Sequence, residues 1–477
     1  MMKRGKISLL FYFVFLCLGF TNCKPSKTAT SSLFKKTPSS FNTRTDSTNS
    51  ATINWKTYFD NPTLVELIDT ALANNLDLLM SLQKINVARA QVKYSKGLYL
   101  PYVSGAASLG QRRFGRYTMD GAGNSSTYMT PGKIVPTNLP DYYGGLQSSW
   151  EIDIWGKLRN KKRAAVARYL ASIEGRNLVT TNLISEIAGS YYELLALDIE
   201  LDIIRETIIL QNNQLSIILL QKETGRANEL VVKQFEAQVL NSKSLEIEVL
   251  QKIIEHETKL NFLLGRFPQP VKRDKLSFTQ SVPAQVHVGI PSDLLINRPD
   301  VKQAEYELIA SKANVKTARA AFYPSLNINA SGGLQAFNTS FLISPQSFAY
   351  SVLGSLTAPL INTSAIKAQF RSAKAAQLEA MYHYQKSVIN GYVEVYNQMV
   401  NINNLEQIYK LKNEEVEILT TAIETCSELY LTGRANYIEI IITRKNALQS
   451  KLELIEIKQR QYKAAINIYK ALGGGWK

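Results

Sequence analysis

Cysteine is nearly missing from this chain, with three in 477 residues. Cys17 falls in an N-terminal apolar run and Cys23 directly follows it, so Cys426 stands alone in the body of the chain. A disulfide framework within one mature chain is thereby excluded. Histidine is as scarce: His256, His287 and His383 are scattered. Glu255-His256-Glu257 lacks the second histidine that a zinc site on one helix face needs, so no metal is expected. No glycine loop ends in Lys-Ser or Lys-Thr, which removes the common phosphate-binding loop. The apolar run Ile7–Phe20 has 14 residues, short of the ~20 that a spanning helix needs. Basic clusters with interleaved aromatics are not evident, so nucleic acid is not an expected partner. These absences leave no demand for an enzyme and none for a cofactor.

What is present begins at the N-terminus. Lys3, Arg4 and Lys6 precede the apolar run, and residues 1–22 read as a secretory signal peptide. Cys23 sits where a lipoprotein signal is cut and its cysteine acylated. Phe20-Thr21-Asn22 stand where small residues are usual, and an ordinary signal peptide with another cut is the alternative. A covalent lipid on Cys23 would be the chain's one attached group. Residues 23–54, rich in Ser, Thr, Lys and Asn, read as a flexible tether. The net charge of +16 reads as a solvated surface of Lys and Glu spread over long helices.

The body of the chain is duplicated. Thr224-Gly225-Arg226-Ala227-Asn228 recurs letter for letter as Thr432-Gly433-Arg434-Ala435-Asn436, a shift of 208. Leu264-Gly265 and Leu472-Gly473 follow at the same shift. A helix pattern runs into each pentapeptide and another runs out, so each reads as the tip of a helical hairpin, closed by a glycine that can turn left-handed. Matched spacing on both sides identifies an internal repeat. The first repeat spans 55–265 and the second 300–477, and the Pro-rich segment 266–299 connects them.

Within each repeat the apolar period changes twice. Residues 101–154 and 324–361 alternate apolar and polar, as a pair of strands with one face of each kind would. Ile187, Leu194, Leu201, Ile208 and Leu215 then recur every seven residues, as do Val388, Val395, Ile402, Tyr409, Val416, Ile423 and Tyr430. Leu240, Ile247 and Ile254 match Leu448, Ile455 and Tyr462 on the outgoing helices. Such sevens are the coiled-coil signal. The span 158–223 alone makes a rod of about 100 Å at 1.5 Å per residue. The fold class is therefore mainly α with membrane β: long coiled-coil hairpins plus two β-hairpins per chain. Four strands cannot close a barrel, and an open edge in lipid leaves backbone groups unpaired. Several chains must share one barrel.

The connector carries a resemblance. Pro291-Ser292-Asp293-Leu294-Leu295-Ile296-Asn297-Arg298-Pro299-Asp300-Val301 resembles the inter-repeat signature of TolC/OprM-type outer-membrane efflux channels. The opening Trp55…Phe59-Asp60-Asn61-Pro62 and the joint Trp150-Glu151-Ile152-Asp153-Ile154-Trp155-Gly156-Lys157 are similar to the same family. The second joint, Ala358-Pro359-Leu360-Ile361-Asn362-Thr363, lacks the family's glycines. The resemblance implies a homotrimeric tube in the bacterial outer membrane, with a shared twelve-stranded barrel and a periplasmic tunnel. It also implies two partners, a periplasmic adaptor at the tips (Thr224 to Asn228 and Thr432 to Asn436) and an inner-membrane pump, proton-driven or ABC. The family's acidic gate positions fall on Glu439 and on Ile442, so only one is acidic here. Arg444, on the same helix, and Arg434, in the turn, are candidate partners of Glu439. Drugs, metal ions and secreted polypeptides would all fit the tube, so multidrug or metal efflux and type I protein secretion stay open. A structural or adhesive coiled-coil lipoprotein without transport is the reading from another class, and the alternating strands speak against it.

Overall fold

The computed structural model divides into two units, residues 1–38 and 39–477. It describes residues 38, 40–41, 50–278, 288–361 and 363–477. The expected signal peptide, Cys23 and most of the expected tether lie outside the described residues, as do 279–287 of the connector with His287. Two pieces of the tether stretch are seated rather than loose. Phe41 is 2% exposed and stacks on Tyr392 at 5.1 Å. Ser50–Thr52 form a 3-10 turn with Ala51 buried.

Local chemistry sets the helix starts. Asn61 caps helix α1 (Pro62–Asn74) by accepting from the Leu64 N–H at 3.0 Å, with proline at the first turn. Asn75 caps α2 (Leu76–Gly97) in the same way. After Pro101 the chain enters β1 (Tyr102–Arg113). It returns, past a small helix and a two-stranded hairpin, as β2 (Asn138–Ile152). Gly156, at φ 75°, then turns the chain into α3 (Lys157–Glu223), and α4 (Glu229–Leu263) runs back from the tip. The second repeat gives α5 (Pro299–Ala320), β3 (Ser325–Ala336), β4 (Phe348–Thr357), α6 (Ser364–Leu431) and α7 (Tyr437–Ala471). Its strand-to-helix joint works without glycine: Thr363 precedes α6 at φ −79° and ψ 5°, which any residue can adopt.

The four long strands form one antiparallel sheet in chain order, β1-β2-β3-β4. Register decides the faces. Trp150 lies opposite Ile328, and Ile328 opposite Gly354; Glu151 lies opposite Asn327, and Asn327 opposite Ser355. Carried across the sheet, one face holds Val103, Leu109, Leu146, Trp150, Ile328 and Val352, and the other holds Ser104, Gln147, Glu151, Asn327, Ser351 and Ser355. Gly145 and Gly333 are paired on the polar face. A Cβ on either would stand 2.5 Å from a backbone oxygen of the neighbouring strand, so the two strands approach there more closely than a side chain allows. All four strand ends that lead to helices lie at one end of the sheet. Among the described residues, no further strand pairs with the sheet's outer edges, β1 and β4.

The helices make a layer rather than a ball. α3 packs on α2, α5, α4 and α7, and α6 packs on α5 and α7. The main core lies where α1, α3, α4 and α7 meet. Ile187, Leu194, Leu201 and Ile208 are buried there, and Tyr192 stacks on Tyr462 at 4.1 Å. The outgoing sevens divide between the repeats. Tyr462 is buried and Leu448 and Ile455 are half-buried, whereas Leu240, Ile247 and Ile254 are exposed. On α4 it is Val232, Phe235, Val239, Val249 and Ile253 that turn inward. The reason is position: α4 lies at the rim of the layer, with α3 as its main long-helix neighbour. The opposite rim helix, α6, likewise exposes Ile389, Val393, Tyr396 and Val400 at spacings of four and three. No helix among the described residues is long and apolar enough to cross a membrane.

Candidate functional site

The two pentapeptides fold alike. In each, glycine takes a left-handed backbone, Gly225 at φ 73° and Gly433 at φ 72°. The Arg226 N–H donates to the Gln221 carbonyl at 2.8 Å and the Gly225 N–H to that of Lys222 at 3.0 Å. Arg434 repeats the first bond, to Leu429 at 2.8 Å, and Gly433 the second, to Tyr430 at 3.0 Å. This is the paired closure that ends a helix with a glycine. Asn228 and Asn436 then cap the outgoing helices with their side chains. Thr224, Gly225, Arg226 and Asn228 are exposed and Ala227 is half-buried; Thr432, Gly433, Arg434, Asn436 and Ala435 follow the same pattern.

The two tips touch each other. The Tyr430 hydroxyl donates to Gln221 Oε1 at 3.0 Å. Tyr437 and Ile441, in the first turns of α7, pack with Ala227 on the cluster of Ile218, Val231, Val232 and Phe235. Differences between the tips are chemical. Lys222 pairs with Glu229 across the first turn, whereas the second has Tyr430 and Tyr437 at the corresponding positions.

Glu439 has a local role that its spacing from Asn436 already announces. Asn436 Oδ1 accepts from the Glu439 N–H at 3.1 Å, and Glu439 Oε2 accepts from the Asn436 N–H at 3.2 Å. This reciprocal pair satisfies two backbone donors at the start of α7. Val231, the counterpart in the first repeat, cannot make it and is buried instead. Glu439 also borders a shallow, mostly apolar groove of about 620 Å³ with Ile418, Ala422, Cys426, Leu429 and Ala435. Ile442 is half exposed on α7. Arg444 is partly buried; burial pulls its guanidinium below the ordinary value, and the nearby Cys426 acts in the other direction. Among the described residues no ion pair joins Glu439 to Arg434 or Arg444 in one chain.

Far from the tips, the connector signature closes the fold. The Arg298 guanidinium binds Asp300 through Nε at 3.0 Å and Nη2 at 2.7 Å. Its Nη1 donates to Glu394 Oε2 at 2.7 Å and to the Ala471 carbonyl at 2.8 Å. Asn297 receives the Trp476 indole at 3.1 Å and Lys477 Nζ at 2.7 Å. Gly391 lies so close that an added Cβ would stand 3.1 Å from Arg298. The signature thus ties α5 and α6 to the end of the chain.

A sheet with one apolar and one polar face, carried on long paired helices that end in exposed turns, is the build of a membrane conduit. The family described as outer membrane efflux protein matches residues 67–266 and 290–474. The chain belongs to that family, and it is an outer-membrane efflux channel. It is 27% identical over 430 residues to the cation efflux system protein CusC of Escherichia coli O6:H1, covering 89% of this chain and 88% of that one. It is 26% identical over 422 residues to the probable outer membrane lipoprotein SilC of Salmonella typhimurium, covering 88% of each. The open-state outer membrane channel MtrE of Neisseria gonorrhoeae has the same fold, with a TM-score of 0.82 at 21% identity, over 94% of this chain and 98% of that one.

Proposed function

We propose that three copies of this chain form the passive exit duct of a tripartite export system. Each contributes four strands to one barrel and its helix layer to a periplasmic tunnel. The observation that carries this reading is the register, which separates an apolar face from a polar one on a sheet whose two edges have no partner strand among the described residues. Backbone groups at such edges cannot stay open in lipid, so the edges of neighbouring chains must pair. The exposed stripes on the two rim helices support the same ring. Burying Leu240, Ile247 and Ile254 against the next chain's α6 stabilises the ring by about 1.5–3 kcal/mol for each side chain fully covered. The tips, exposed and alike, are the surface for the adaptor, and through it the pump. The related proteins are named for cation and solvent export, and cargo of either kind would pass without covalent change.

The gate belongs to the second tip. Three Glu439 carboxylates around one axis repel each other, which favours counter-ions, and Ile442 places an apolar group one turn further along. In planar bilayers the purified trimer should conduct. Glu439→Gln should lower cation preference, and Ile442→Asp should raise it and the resting conductance. Because Glu439 also closes a capping pair worth about 1 kcal/mol, Glu439→Gln is the better probe than alanine. A trimer that never conducts would refute the duct, and unchanged selectivity in both variants would reduce Glu439 to its capping role.

Residues 1–22 are the segment removed on export and Cys23 is the acylated residue, a reading supported by the lipoprotein name of one relative. Cys23→Ser should abolish metabolic labelling by a fatty acid. Membrane retention should persist, since a barrel in lipid holds the chain without the anchor. Full labelling of the serine variant would move the anchor elsewhere.

A further inference from the structure

The chain's positive charge is not spread over its helices as its composition suggests; it is stacked at one level. Four helix segments adjoin the sheet: 87–101, 157–173, 308–323 and 364–378. They hold three, six, three and three Lys and Arg, and not one Asp or Glu. Of the 55 Lys and Arg in the chain, that leaves 40 against 39 Asp and Glu everywhere else. The four segments thus carry +15, against +7 in residues 1–54 and −6 over all other residues, so the positive charge of the helices is concentrated next to the sheet. Aromatic rings are interleaved with it. Lys161 lies over Tyr94 at 5.5 Å, Lys162 over Tyr99 at 5.9 Å and Arg89 over Tyr169 at 5.9 Å.

Within this belt, the start of α3 and the end of α5 frame a groove of about 640 Å³. Lys162, Arg163, Lys312, Lys316, Tyr99 and Tyr306 line it, no carboxylate does, and Val166, Leu170 and Ile309 give it an apolar floor. Arg159 also borders it but is held by Asp153 at 3.3 Å. Tyr99 joins the groove to the apolar face of the sheet: the indole of Trp150, on that face, donates to the Tyr99 carbonyl at 2.8 Å. Glu151 and Asp153 answer Lys157 and Arg159, but no carboxylate lines the groove itself; the like charges gathered there raise one another's energy, and an anion relieves it.

We propose that this groove, and the belt around it, bind the phosphodiester headgroup of an anionic phospholipid from the leaflet facing the helices. A cationic rim with aromatic rings just outside an apolar band is how a membrane protein meets a charged bilayer surface. The lysines and Arg163 take the phosphate, the tyrosine hydroxyls take the glycerol, and the apolar floor takes the first acyl carbons. The inference rests on the membrane-spanning reading of the sheet.

The test uses the full-length trimer in detergent, titrated with phosphatidylglycerol or phosphatidylcholine of the same acyl chains and observed by native mass spectrometry. Wild type should prefer phosphatidylglycerol by at least about tenfold, as several lysines near an anionic surface imply. The triple variant Lys162→Gln, Lys312→Gln, Lys316→Gln should fall to near parity. The same three changed to Arg should keep the preference, as should Lys222→Gln at the tip. Parity in wild type, or an undiminished preference in the triple Gln variant, would overturn the proposal. Displacement of the lipid by millimolar inorganic phosphate would make the groove a free-anion site and overturn it as well. A wild-type sample without a trimer peak would fail the membrane reading itself, an outcome distinct from an intact trimer that shows no preference.

Discussion

Arginine at Ile328 should stop the sheet from entering a bilayer, while arginine at the very next position toward the tether, Asn327, should be accepted. Ile328 lies between Trp150 and Gly354 on the apolar face. A charged group there meets lipid, at about 2–4 kcal/mol near the bilayer midplane. Each chain of a ring carries the same lesion, so the loss triples. Asn327 lies between Glu151 and Ser355 on the polar face, where an added charge is hydrated and Glu151 stands opposite it. Asn327→Arg should assemble and shift ion selectivity. The readouts are yield of trimer from membranes and single-channel current. Equal yields from the two variants would mean that these strands do not span a membrane.

Replacing Arg298 with methionine is the second change with a large expected effect. Its side chain is only 8% exposed and serves two carboxylates and a carbonyl. Methionine fills much of the space but leaves those acceptors without their donor, which costs about 3–5 kcal/mol when an ion pair is buried. Asp300 and the Ala471 carbonyl carry most of that loss. Glu394 is 43% exposed, so solvent screens its share. Arg298→Lys should recover only part, since an ammonium cannot make the planar fork to Asp300. The expected readouts are a lower denaturation midpoint and faster proteolysis of the C-terminal residues that Asn297 and Arg298 hold. A methionine variant as stable as wild type would mean that the cluster is not what closes the fold.

Local signals carried furthest in the sequence. The repeated pentapeptide works through one left-handed glycine and one capping asparagine, both read within a turn of chain, so its structure was legible from its letters. Strand faces were legible because a period of two leaves little choice. Burial on the long helices was not, because a run of sevens marks an apolar stripe without naming its neighbour. Leu240, Ile247 and Ile254 form such a stripe and face away from their own chain. The basic belt was hidden for a related reason: its four segments are far apart in sequence, and only the fold stacks them. Glu439 is the opposite case. Asn436 and Glu439 stand at the spacing of a reciprocal cap, a signal fully present in the letters.

The unpaired edges of the sheet have a genetic consequence. A chain whose helices fold but whose strands cannot enter lipid still offers its rim helices to normal partners. Drawn from an equal mixture into rings of three, only about one ring in eight would contain no defective chain. Alleles that spoil the lipid face should therefore be dominant. Alleles that unfold the helix layer should be recessive, because such chains never reach the ring.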